Sequence, residues 1–169
     1  MSIDRSAPPR AVLDGRDRRI DLRPADDDAP ATDDVRSALR RMYDAFGRSD
    51  RAQGVPPSAE DDRREWVATL SEGIGVVAWQ DGDAVGHAVL LDDRHGGHEL
   101  AVFVHPRYRR AGVGTRLLRT LVGRGRGAGV ERVWLSVART NRPAVALYRS
   151  LGFETTSAAG PEMTMERRL

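Results

Sequence analysis

The stretch Val104–Leu118, VHPRYRRAGVGTRLL, sets how the rest of the chain is read. It leaves an apolar run, crosses a basic loop with two closely spaced glycines, and enters a segment whose apolar residues recur at helical spacing. Upstream, ELAVFV (99–104) reads as a strand that ends at His105-Pro106, because proline cannot donate to a ladder. Downstream, Val113, Leu117, Leu118, Leu121 and Val122 share one face while Arg116 and Arg119 occupy another, the pattern of an amphipathic helix opening at Gly112. A strand that turns straight into a helix leaves the first helical N–H groups unpaired and aimed at one spot, where the dipole also favours an anion. Gly112 and Gly114 allow a phosphate close to the backbone. Between His105 and Arg132 stand eight arginines and the single acid Glu131, a net +7, whereas the whole chain is only +2. That local excess points to a multiply phosphorylated ligand.

Working outward, GIGVVAWQ (73–80) and AVGHAVLLD (84–92), joined by a DGD turn, read as a hairpin of two buried strands. Before them, RRIDLRP (18–24) suits a strand and VRSALRRMYDAF (35–46) a helix, preceded by the Asp26–Asp28 and Thr32–Asp34 clusters. After the turn-rich connector Gly47–Ser58, a second helix runs through Trp66 and Leu70, with Ser58 as its expected cap. Beyond the central helix, the glycines at 123, 125, 127 and 129 each cost about 1 kcal/mol relative to alanine, so its tail is expected to fray. ERVWLSV (131–137) is a strand, Asn141-Arg142-Pro143 starts a short helix that Gly152 ends, and residues 153–156 and 162–168 form two last strands. The order gives an α/β (α+β) fold with a mixed, mostly antiparallel sheet of about seven strands and four helices. Residues 1–17, poorly hydrophobic and carrying Pro8-Pro9, are expected to be a disordered or loosely docked arm before a single domain over 18–169.

Composition removes several chemistries. All 27 basic residues are arginine, so there is no Walker or Schiff-base lysine. With no cysteine there is neither a thiolate zinc site nor a cysteine nucleophile. His95 and His98 on a glycine turn read as a solvated hairpin rather than a metal pair, and no metal is expected. The RGRG run at 124–127 region is one short copy without a neighbouring aromatic, which argues against nucleic acid as a partner. No apolar run reaches the ~18 residues of a membrane span, and the first residues lack an apolar signal core, so a cytoplasmic protein without a membrane partner is expected.

Glycine spacing alone leaves open a tight strand-to-helix turn without a ligand. The combination of Arg109-x-x-Gly112-x-Gly114 with NRPAVALYRSLGFE (141–154), however, resembles the Gcn5-related N-acetyltransferase (GNAT) superfamily. The likeness is close over Val77–Phe153 and extends along the chain in element order. It implies a GNAT fold splayed between the fourth and fifth strands and acetyl-CoA as co-substrate. Arg109, Arg110, Ala111, Gly112, Val113, Gly114 and Thr115 would then cradle the pyrophosphate, mainly through backbone amides. Val102, Phe103 and Val104 would pair with the pantetheine amides, with a backbone amide near Val104 stabilising the oxyanion. Asn141 would bond the pantetheine arm, or else simply cap its helix. Tyr148 would donate to the leaving thiolate, although helical spacing alone makes it a core aromatic. Glu99 stands where several members carry a general base, and reads equally as a strand-end surface carboxylate. The implied function is direct acetyl transfer to a primary amine of a small molecule or of a peptide or protein N-terminus. A non-catalytic acyl-CoA-binding module is the alternative. Gly47–Ser58 and Ser157–Glu162 would wall the acceptor site, and homodimers are common in the family.

Overall fold

The computed structural model describes residues 10–26, 34–51 and 55–169. Eight strands form one sheet: β1 (Arg10–Leu13), β2 (Arg19–Pro24), β3 (Ile74–Gln80), β4 (Asp83–Asp92), β5 (His98–Val104), β6 (Arg132–Ala138), β7 (Glu154–Ser157) and β8 (Glu162–Arg168). Their spatial order is β1-β2-β3-β4-β5-β6-β8-β7. Every neighbouring pair is antiparallel except β5 and β6. Four helices cover it: α1 (Val35–Asp44), α2 (Glu60–Leu70), α3 (Val113–Gly127) and α4 (Arg142–Ser150).

The two faces of the sheet carry separate cores. Leu39, Met42 and Tyr43 of α1 and Val67 and Leu70 of α2 pack on Val77, Trp79 and Val89. On the other face Leu117, Leu118 and Leu121 of α3 and Val145 and Tyr148 of α4 meet Val76, Ala88, Leu90, Leu135 and Met165. The three α3 leucines are fully buried, each contributing about 2 kcal/mol of apolar burial. Alternation along β5 assigns Leu100 to the α3 side and Ala101 and Phe103 to the α1 side. Gly86 on β4 permits close docking of α3, since a Cβ there would lie 2.7 Å from Leu117 Cδ1.

β5 and β6 run parallel but pair only through His98 with Val133 and Glu99 with Trp134. Beyond those residues the two strands part, with β5 continuing to Val104 and β6 to Ala138, so the splay expected between ELAVFV and ERVWLSV, the fourth and fifth strands before β1 is counted, is present.

Three local expectations are corrected. The boundary of the loose arm at residue 17 falls inside structure, because Arg10–Leu13 pairs with β2 from Arg10 opposite Leu22 to Leu13 opposite Arg19, and Asp14 is buried. Residues 1–9 lie outside the described residues, as do Asp27, Asp28, Thr32 and Asp33. Ser58 does not cap α2: Ala59 occupies the cap without a side-chain bond, and Glu60, Asp61 and Asp62 supply the negative charge that the helix N-terminus favours. The glycine-rich tail of α3 stays helical to Gly127. Gly125 is packed so closely that a Cβ would lie 2.9 Å from Leu90 Cδ1, and Arg124 anchors the turn through Asp26 and the Gly75 carbonyl. Tertiary packing there outweighs the local propensity of glycine.

Candidate active site

The chain leaves β5 at Val104 and makes one 3-10 turn over Pro106–Tyr108, where His105 Nδ1 accepts from the Arg107 N–H at 3.0 Å. Arg109 is extended, Arg110 is left-handed (φ 56°), and Gly112, also left-handed (φ 83°), sits at the N-cap of α3 without any side-chain cap bond. The first helical bond runs from the Arg116 N–H to the Gly112 carbonyl. The N–H groups of Val113, Gly114 and Thr115 therefore have no partner inside the helix and stand at its positive end. No acidic residue occupies this first turn, and Gly112 and Arg110 are exposed beside it. A helix start of this kind offers backbone donors and a positive dipole end to an anion.

The open edge of β5 follows from its register. The His105 N–H donates to the Val85 carbonyl, and Phe103 faces His87 two residues earlier, so odd-numbered residues turn their backbone groups toward β4. Val102 and Val104 therefore turn theirs toward the gap where β6 has departed. Of the three residues expected to line that edge, Phe103 is misplaced: its backbone belongs to the β4 ladder. Its ring instead meets Tyr43, Phe46 and Trp66 edge to face, with centroids 5.5, 6.4 and 5.1 Å away. The Val104 carbonyl accepts from Arg109 Nε at 3.1 Å, so Val102 and the Val104 N–H are the groups left to a partner in the gap.

Arg109 reaches back from the loop to the connector between α1 and α2. Its Nη1 lies 2.7 Å from Asp50 Oδ1, and its guanidinium stands 5.2 Å over the Phe46 ring. The second loop expected to wall the site is also anchored, since Arg139 Nη1 donates to the Ala158 and Gly160 carbonyls.

Glu99 sits where β5 and β6 part and shares a strand face with Ala101 and Phe103. Glu99 is exposed to solvent, and the desolvation it still suffers from the surrounding protein, followed by the nearby charge of Asp93, pushes its carboxyl pKa up. Asp93 itself is held at about 2 by the N–H groups of His95 and Gly97, with further help from the Trp134 indole and Arg132. Tyr148 belongs to the core on the opposite face, its ring 5.9 Å from Phe153, and burial pushes its phenol up to about 12. The two residues thus stand on opposite faces of the sheet and do not touch. Asn141 caps α4, its Oδ1 accepting from the Ala144 N–H at 3.3 Å. Among the described residues no cluster of three or more His, Cys, Asp or Glu could hold a metal, and no helix is long and apolar enough to cross a membrane.

Comparison with known proteins agrees with this architecture. The model of the acetyltransferase (GNAT) family matches residues 36–153. The [ribosomal protein bS18]-alanine N-acetyltransferase of Escherichia coli is 44% identical over 52 residues, which make up 31% of this chain and 35% of that protein. The match thus spans about a third of that relative. The crystal structure of the GNAT domain of S. lividans PAT superposes with a TM-score of 0.75 at 16% identity, over 95% of this chain and 97% of that one. Salmonella typhimurium yncA, solved with its cofactor acetyl-CoA, superposes at 0.69 and 20% identity, over 89% and 94% respectively. With its family model running from α1 through α4, and so across β3–β6, the splay between β5 and β6 and the loop that opens α3, this chain belongs to the acetyltransferase (GNAT) family.

Proposed function

We propose that the protein is a cytoplasmic N-acetyltransferase that takes acetyl from acetyl-CoA and delivers it directly to a primary amine. The observation that carries this reading is the juxtaposition of two unfilled sets of backbone donors: the N-terminus of α3 and the edge of β5 at Val102 and Val104. The first suits a pyrophosphate and the second an amide-bearing arm lying in the gap before β6. When bound, acetyl-CoA supplies an activated thioester carbonyl. Glu99, directly or through water, accepts the proton that the attacking amine must lose, and its raised pKa makes it a better base than an ordinary surface carboxylate. The Val104 N–H faces the gap near the end of β5 and stabilises charge on the carbonyl oxygen. Tyr148 remains protonated at neutral pH, since burial pushes it up to about 12. A thiol titrates near ~8.5, so the leaving thiolate is the weaker base and Tyr148 acts by donating a hydrogen bond to it. Arg110–Thr115 hold the pyrophosphate, Arg109 braces the loop, and Asn141 orders the start of α4.

The acceptor is the primary amine of a small molecule or a peptide N-terminus. The Escherichia coli relative, a ribosomal-protein-alanine N-acetyltransferase, favours testing peptide N-termini first. Thiol release should be followed with acetyl-CoA and a panel of peptides and small amines. Turnover that collapses in Tyr148→Phe supports the proposal. Tight acetyl-CoA binding without turnover on any amine would make the protein a binding module instead.

A further inference from the structure

Two carbonyls of the loop between β5 and α3 are held by residues that precede the family-matched segment. The Gly15 N–H donates to the Ala111 carbonyl at 2.8 Å, and Arg18 Nη1 donates to the Arg107 carbonyl at 3.2 Å. Both donors come from the turn that joins β1 to β2.

That turn is built around one buried carboxylate. Asp14, its side chain 1% exposed, accepts from the N–H groups of Arg16 and Arg18 at 2.9 Å each and pairs with the Arg18 guanidinium at 2.7 Å. The same guanidinium lies 3.9 Å over the Tyr108 ring, and Tyr108 in turn bonds Gln80 at the end of β3. The seat is close: a Cβ on Gly15 would be 3.4 Å from Ala111 Cα.

Ala111 stands between two left-handed residues, Arg110 and Gly112. A non-glycine residue such as Arg110 occupies that region only when its surroundings hold it there. In a trans peptide the carbonyl of one residue and the N–H of the next point in opposite directions. Anchoring the Ala111 carbonyl on Gly15 therefore fixes the direction of the Gly112 N–H and keeps a negative carbonyl end from facing an anion.

We propose that the Asp14–Arg18 turn is a positioning element of the cofactor site, setting the peptide that enters α3 so that its N–H meets the pyrophosphate. This rests on the acetyl-CoA reading above. No residue of the turn is placed in contact with the ligand; the turn acts through Ala111.

The test is calorimetric titration of the full chain with acetyl-CoA, with melting followed by circular dichroism so that each variant is compared below its own transition. Asp14→Ala should bind about tenfold more weakly, the worth of one mis-aimed hydrogen bond to a charged group. Asp14→Asn, which keeps an acceptor for the two turn N–H groups, should fall between it and the unaltered protein. If Asp14→Ala does not fold, Arg18→Gln, which leaves the Asp14 bonds to backbone in place, should still weaken binding. Folded variants that bind as tightly as the unaltered protein would overturn the proposal while leaving the acetyl-CoA reading standing. Failure of the unaltered protein itself to bind would overturn that reading and this proposal together.

Discussion

Arg109 and Asp50, 59 residues apart in sequence, are joined at 2.7 Å, which ties the loop between β5 and α3 to the connector between α1 and α2. Phe46 beneath the guanidinium and the Val104 carbonyl beside it complete the joint. Asp50 also accepts from the Gly47 N–H at 2.8 Å, so one carboxylate folds the connector and fastens it to the loop that opens α3. Asp50→Ala should raise the acceptor KM about fivefold while changing acetyl-CoA affinity by less than about twofold. Because the pair is partly exposed, the cost in stability should not exceed about 1 kcal/mol. Steady-state kinetics with each substrate varied, together with a urea melt, separate these quantities.

Tyr148→Phe removes a hydroxyl that makes no hydrogen bond among the described residues, so the fold should be little affected. Loss of a donor to a developing thiolate should lower kcat by about 10- to 100-fold with acetyl-CoA affinity retained. Glu99→Gln should abolish the acidic limb of the pH profile. In the unaltered protein that limb should lie above the ordinary carboxylate value of 4.5, because burial and Asp93 both favour the neutral acid. Asp93→Asn should move it to lower pH. A limb unmoved in Glu99→Gln would assign the base elsewhere.

His87 is fully buried, with Nδ1 2.7 Å from the Tyr43 hydroxyl and Nε2 without a partner among the described residues. Burial lowers its pKa from 6.5 to about 4. The folded state therefore resists a proton that the unfolded chain accepts. Stability is fully present above pH 6.5 and is lost as pH falls toward 4, by up to about 3 kcal/mol. His105, whose pKa is also lowered, contributes in the same sense and direction. Urea midpoints measured across this window for the unaltered protein and His87→Leu should show a shallower slope in the variant.

The glycines of the α3 tail should separate by their surroundings. Gly123→Ala and Gly127→Ala meet nothing within 4 Å and should each stabilise by about 0.5–1 kcal/mol. Gly125→Ala would push Leu90 and Leu169 aside, at 2.9 and 3.1 Å, and should lose that gain or destabilise. Thermal melts of the three single variants test this directly.

What the sequence made legible was what rests on period and punctuation. Val113, Leu117, Leu118 and Leu121 identified α3 because its apolar stripe survives any context, and Asp34 and Asn141 began their helices through local bonds. The turn and the strand before it are not legible: RAVL has only four residues, and Arg18 of the turn bonds the Arg107 carbonyl 89 positions away. The ion pair of Arg109 with Asp50 is hidden for the same reason, since nothing local distinguishes one carboxylate of the connector from another. Phe103 was readable in principle. Once Val102 and Val104 face the gap, the period of two sends the intervening backbone to β4. The tail of α3 was misjudged because glycine propensity is local, whereas the room that Gly125 leaves is filled by Leu90 of β4.

The central claim, that the N-terminus of α3 holds the pyrophosphate of acetyl-CoA, is tested most directly by calorimetry on the unaltered protein and on Gly112→Glu. Gly112 is exposed and a Cβ there would have no atom within 4 Å, so the added carboxylate displaces nothing in the core, and Gly112→Ala, which carries the same left-handed strain without the charge, is the control. One acetyl-CoA should bind per chain at micromolar affinity, with no measurable heat in the folded Gly112→Glu variant. Equal binding by both, or no binding by the folded unaltered protein, would contradict that claim.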